Sequence, residues 1–200
     1  MPTPIDFYFD YSSPYGYFAA MKIDPLAEKY GCSVNWKPIL LGAVFKVTGA
    51  KPLPTLPLKG AYAMHDVARS ARFYGAPYRH PEKFPIAGQA PSRAFYWLNE
   101  TDPALAHTLA RALYQAYFVD NRDISSPEIT ADVAATLGIN RDALLAALAN
   151  ETVKDKLKLE VETAIARGVF GSPYFIVDDE PFWGADRLDQ LERWLADGPF

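Results

Sequence analysis

Ser13-Pro14-Tyr15-Gly16 lies in the stretch DYSSPYGYF, a short polar interruption between an apolar strand-like run and an apolar helix-like run. Ser followed by Pro reads as the N-cap and first position of a helix, where a side-chain oxygen takes up a free amide and Pro loses nothing. A hydroxyl beside free backbone N–H groups is also a place to hold an anion, and a thiolate supplied by a ligand would suit it. An isolated Ser-Pro is most often only a helix start, as Ser126-Pro127 is expected to be later in this chain. Other stretches therefore have to decide. Gly171-Ser172-Pro173-Tyr174 stands just before the strand-like run YFIV, and Trp183-Gly184-Ala185-Asp186-Arg187-Leu188 just before the last helical run. Asp186 reads as a cap for that helix and equally as a carboxylate which, with a free N–H, suits an amino acid's ammonium and carboxylate. Lys59 in LPLKG is by default a solvated lysine, or one that grips a ligand carboxylate from an irregular linker. His65, His80 and His107 are scattered without i, i+4 partners, so neither a metal site nor a Ser-His-Asp triad is visible.

The elements that must position these residues follow from pattern. IDFYFDY is β-branched and aromatic and reads as a strand. The helix opened by Ser13-Pro14 carries Tyr17, Phe18, Met21 and Leu26 and is expected to run to Gly31. VNWKPIL reads as a second strand, completing a βαβ unit with a parallel pair. Residues 41–60, rich in Pro and Gly, read as an irregular connection, and residues 61–167 as almost wholly helical. Asp102-Pro103, Ser126-Pro127 and Asn140 are expected to start helices there, and Gly138 and Gly168 to end them. SPYFIVDDEPFWG reads as two strands joined at Asp178-Asp179-Glu180, and DRLDQLERWLAD as a final helix with Leu188, Leu191, Trp194 and Leu195 on one face.

The order βαβ, helical block, ββα is the plan of an α/β thioredoxin-like fold with an inserted all-helical domain. It predicts a discontinuous thioredoxin-like domain at 1–45 and 168–200, with linker and insertion at 46–167. In such folds a C-x-x-C motif occupies the start of the first helix, where the dipole lowers a thiol pKa. Here that slot is Ser13 to Gly16, so both cysteine positions are empty and dithiol chemistry is excluded on residue identity. Pro173 falls where these folds carry a cis-proline, whose predecessor offers its backbone N–H and C=O to a bound peptide. An ordinary trans proline at a strand's first residue is the plainer alternative.

The bulk numbers narrow the classes. Two hundred residues, half of them hydrophobic and 14% aromatic, suffice for a real core. A net charge of −4 without a Lys/Arg cluster argues against nucleic acid or an anionic membrane surface as partner. The single cysteine, Cys32, excludes an internal disulfide framework. No basic leader and no run approaching roughly 18 apolar residues is present, which predicts a cytoplasmic protein.

At DFYFDYSSPYGY, TGAKPLPTLPLKGAYAMHD and RGVFGSPYFIVDDEPFWGADRLDQLE the chain resembles the 2-hydroxychromene-2-carboxylate isomerases, relatives of the kappa-class glutathione transferases in the DsbA-like thioredoxin superfamily. The resemblance runs across essentially the whole chain. It implies a homodimer that binds glutathione and acts on a small aromatic substrate in aromatic-compound catabolism. It implies further that Ser13 is catalytic and faces the glutathione sulfur, with Pro14 and Tyr15 in the same turn. Ser172, before Pro173, would pair its backbone with the cysteinyl unit. Ala185 and Asp186, beside Trp183 and Gly184, would hold the γ-glutamyl end, and Lys59 the glycyl end or an acidic substrate. One departure stands out: the family commonly has Gly-Asn-Lys-Pro in the linker, with the asparagine at the ligand site, where this chain has Gly49-Ala50-Lys51-Pro52. The alternatives are a kappa-like glutathione transferase and a non-enzymatic glutathione-binding module.

Overall fold

Residues 3–200 are described here from a computed structural model. Four strands form one mixed sheet in the order β2-β1-β3-β4: β1 (Ile5–Phe9), β2 (Val34–Pro38), β3 (Tyr174–Val177) and β4 (Glu180–Trp183). β1 and β2 run parallel, while β3 is antiparallel to β1 and to β4. Side chains on alternate residues of β1 point to opposite faces. Phe7 and Phe9 meet Trp36 and Phe175 on one face, with Phe7 stacked on Phe175 at 5.3 Å. Tyr8 points to the other, where it joins Ile39, Val44, Ala164, Val169, Tyr174 and Ile176.

Helices cover both faces. On the Phe7 side lie α1 (Pro14–Ala20), α2 (Ile23–Lys29) and the long α6 (Pro103–Phe118), whose Tyr114 packs on Phe9. On the Tyr8 side lie α3 (Leu41–Thr48) and α9 (Glu151–Ala166). α4 (Lys59–Tyr74), α5 (Gln89–Asn99), α7 (Pro127–Ala135) and α8 (Arg141–Ala149) complete the stretch between β2 and β3, and α10 (Leu188–Asp197) closes the chain. Asp102, Ser126 and Asn140 cap α6, α7 and α8 as their types and positions predict, each accepting the amide three residues on. No helix among the described residues is long and apolar enough to cross a membrane.

Three expectations need correction. The first helix is not continuous to Gly31: α1 stops at Ala20 and α2 restarts at Ile23. Pro25 has no N–H to give to the carbonyl of Met21, so a single helix would lose a bond there. Residues 41–60 are not irregular throughout, since 41–48 form α3 and Leu53–Thr55 a short 3-10 turn. Asp186 does not cap the last helix, because it lies within a 3-10 turn (Ala185–Arg187) and its carboxylate pairs with Arg187 Nη1 at 2.8 Å.

Candidate active site at the start of the first helix

Ser13 takes an extended backbone conformation at the end of a turn, with its N–H donating to Asp10 O at 2.9 Å. Its Oγ accepts from Gly16 N at 3.0 Å and its carbonyl from Tyr17 N at 3.0 Å. Pro14 has no N–H, so the amide at this helix start without a protein partner among the described residues is that of Tyr15. The capping expectation holds, and it leaves less free donor capacity than a bare helix start would.

The hydroxyl does more than cap. Ser13 Oγ donates to the carbonyl of Ser172 at 2.9 Å, and the Ser172-Pro173 peptide bond is cis. In return Ser172 Oγ accepts the Asp10 amide at 2.8 Å. Two stretches 159 residues apart in sequence are thus clasped by a reciprocal pair of hydrogen bonds. Ser13 is only 6% exposed. Its single proton is committed to Ser172, so facing any other acceptor requires the hydroxyl to rotate. The N–H of Ser172 has no protein partner among the described residues.

Gly16 is closed to side chains. A Cβ there would stand 2.8 Å from Tyr114 Oη and 2.9 Å from Ser172 Oγ. Both atoms are engaged with Asp10, Tyr114 donating to its carbonyl at 3.0 Å. The position that a second cysteine would fill is therefore occupied. Cys32 lies beyond α2, its thiol pushed up by burial.

Trp183 and its neighbours are brought to the same place. Gly184 N donates to Pro173 O at 3.0 Å. The Trp183 indole packs on Gly171 with its Nε1 side and leaves no room there for a Cβ, and it meets Phe170 edge-on at 4.7 Å. Ala185 is buried and Asp186 exposed. By contrast Ala50, after α3, and Lys59, the first residue of α4, are solvent-exposed, and neither is hydrogen-bonded to the Ser13–Ser172 pair.

Two carboxylates that residue pattern did not single out belong here. Tyr15 donates to Asp66 Oδ2 on α4 at 2.6 Å, and Asp66 also pairs with Arg69. The Tyr15 hydroxyl, against the effect of burial and with help from Arg69, holds Asp66 below its ordinary value, while burial pushes Tyr15 up. Asp66 falls inside the quoted linker motif, but only the docking of α4 on α1 reveals its partner. Asp10, 4% exposed, is pushed up by burial to about 6 although the amides of Leu41 and Ser12 pull it down. In sequence it is merely the acid that ends an apolar run. No group of His, Cys, Asp or Glu able to hold a metal occurs among the described residues.

A serine hydroxyl at this position offers one proton beside a Tyr15 amide that is free among the described residues, with no redox capacity. The model of the DsbA-like thioredoxin domain matches residues 4–196. A 2-hydroxychromene-2-carboxylate isomerase of Sphingobium xenophagum is 30% identical, covering 98% of this chain and 100% of that protein. The glutathione S-transferase kappa 2 of Caenorhabditis elegans is 27% identical over 98% and 92%. A solved 2-hydroxychromene-2-carboxylate isomerase superposes with a TM-score of 0.85 at 28% identity, over 98% and 99% of the two chains. The chain belongs to the DsbA-like thioredoxin family and, within it, to the 2-hydroxychromene-2-carboxylate isomerase group of enzymes.

Proposed function

We propose that this enzyme uses glutathione to interconvert the cis and trans forms of a conjugated aromatic pyruvate, through reversible addition of the thiol. The observation that carries the reading is the Ser13 hydroxyl held against the Ser172 carbonyl beside cis Pro173. A glutathione thiolate arriving there competes for the Ser13 proton, and a charged acceptor forms the stronger hydrogen bond. The hydroxyl turns to the sulfur, which frees the C=O of Ser172 to join its N–H, unpartnered among the described residues, in pairing with the cysteinyl unit in the manner of an added strand.

Thiolate addition to the β-carbon of the alkene forms a C–S bond and moves the π electrons onto the pyruvate carbonyl. The former double bond now rotates. Collapse of the enolate expels the thiolate, so no atom of glutathione is consumed. Ser13 serves as the donor that keeps sulfur anionic before attack and after departure. Gly184, Ala185 and Asp186, joined to Pro173 through the Gly184 amide, would hold the γ-glutamyl end, with Trp183 as a wall. Lys59 would meet the glycyl or substrate carboxylate, and Ala50 leaves that part of the site without a side-chain hydrogen bond. Leu58, Tyr62 and Phe73, exposed along α4 and its approach, are the apolar surface that a second copy would cover in a homodimer. A cytoplasmic location, where reduced glutathione is plentiful, completes the reading.

The test is Ser13→Ala. Removing one such donor is expected to lower kcat about a hundredfold with glutathione affinity largely kept. Glutathione bound with its sulfur remote from position 13 in a crystal soak would overturn the mechanism. The kappa-class relative supports a second reading, in which the thioether is the product. Counting free thiol over many turnovers separates the two, since an isomerase leaves it constant and a transferase depletes it.

A further inference from the structure

No step above uses the carboxylate of Asp10, yet five hydrogen bonds meet at this residue. Oδ1 accepts from Ser12 N at 2.7 Å and Oδ2 from Leu41 N at 2.7 Å. Its amide donates to Ser172 Oγ, and its carbonyl accepts from Ser13 N and from the Tyr114 hydroxyl. α3 has no cap of its own, for Leu40 at its N-cap position carries no acceptor. The buried carboxylate, just past the end of β1 and beside the end of the neighbouring β2, supplies one.

We propose that Asp10 is a positioning residue for Ser13: its ionised carboxylate ties the Ser12-Ser13 turn to the start of α3, and protonation lets one of the two go. A carboxylate accepts on both oxygens. A carboxylic acid carries a hydrogen on one of them, which faces an N–H and forfeits that bond. Whichever oxygen takes the proton, the Ser12 turn and the α3 start are no longer tied together, next to the hydroxyl that must choose between Ser172 and sulfur. Burial places this event near pH 6, inside a working range. The titratable groups that face Asp10 are phenols: Tyr114 and Tyr117 on α6, which feel its charge, and Tyr11, packed on Tyr114 at 5.2 Å. The α3 start contributes an amide and the Ser172 loop a hydroxyl, and the turn before α5 brings Gly88, where a Cβ would lie 3.9 Å from Oδ1.

The proposal rests on Ser13 as the partner of the thiolate. It is tested on the glutathione-dependent activity from about pH 5 to about pH 8. Wild-type kcat is expected to fall toward about a tenth of its neutral-pH value as pH drops below about 6, with the dissociation constant of glutathione moving much less. Asp10→Asn, locked in the form with one acceptor, is expected to be about tenfold slower throughout and to lack this limb. Leu41→Pro removes the other partner at a helix position where Pro is tolerated. It takes away a contact that favours the ionised acid, so the limb is expected to move up by about one pH unit. Should Asp10→Asn not fold, Leu41→Pro still decides. A wild-type rate and profile in Asp10→Asn, or an unmoved limb in Leu41→Pro, would overturn the proposal. Where one of those results is found and Ser13→Ala is nearly inactive in the same assay, only the Asp10 role falls; where Ser13→Ala is fully active, the reading of Ser13 falls first.

Discussion

At the scale of single residues, the chemistry turns on what stands at positions 13 and 16. Serine in place of a thiol leaves a donor without redox capacity, and sequence alone establishes that. The closeness of Gly16 to Tyr114 and Ser172 was not legible, since those partners lie 98 and 156 residues away. It makes the glycine a packing requirement as well as a missing cysteine. Gly16→Ala is expected to cost about 1–3 kcal/mol by overpacking, and to lower activity by pushing Ser172 off the Asp10 amide. Equilibrium denaturation would read the first effect; a variant as stable as wild type would show that Tyr114 and Ser172 yield freely.

Among elements, those announced by local chemistry were legible and those completed from a distance were not. Asp102, Ser126 and Asn140 sit beside the helices they cap, so side-chain type sufficed. α3 begins at Leu41 without a local capping side chain, and its acceptor is Asp10, 31 residues back and just past the end of β1. For that reason its stretch, next to Pro-rich KPLPTLP, reads as a loop. Pro25 did mark the break between α1 and α2, but the apolar spacing of Tyr17, Phe18, Met21 and Leu26 concealed it. The approach to α4 has its own constraint: a Cβ on Gly60 would stand 2.5 Å from Pro54 O, a backbone atom that cannot step aside. Gly60→Ala is therefore expected to lower stability by about 1–3 kcal/mol and to shift α4, with Asp66 and Lys59, away from α1. Loss of the Tyr15–Asp66 contact, followed by tyrosine fluorescence, would report that shift, and an unshifted melting temperature would refute it.

On the scale of the whole molecule, burial of one acid between two layers couples stability to pH. Asp10 has a value of about 6 in the folded chain against 3.8 as its ordinary value. Between these limits the folded state holds a proton that the unfolded state has released. Its stabilising contribution is thus complete below the ordinary value and is lost as pH rises through about 6. Relative to Asp10→Asn, wild type is expected to gain up to about 3 kcal/mol on going from about pH 7 to about pH 4. Paired denaturation curves at the two pH values check this, and a constant difference would contradict it. The carboxylate that the activity needs is therefore the form the fold tolerates least.

Residue types by themselves determined the class of chemistry. Ser13 and Gly16 excluded a dithiol, the order of apolar periods indicated a thioredoxin plan with inserted helices, and Pro173 fell at the entry to β3. These features are legible because they rest on identity and on neighbours within a few residues. Only the tertiary structure decided that the Ser13 proton is held by Ser172, that Asp66 takes the Tyr15 hydroxyl, and that Asp10 gathers β1, α3, α6 and the cis-proline loop. The physical reason is the same in each case. A hydrogen bond across more than 30 residues leaves no period or spacing in sequence, and burial exists only once the layers have closed.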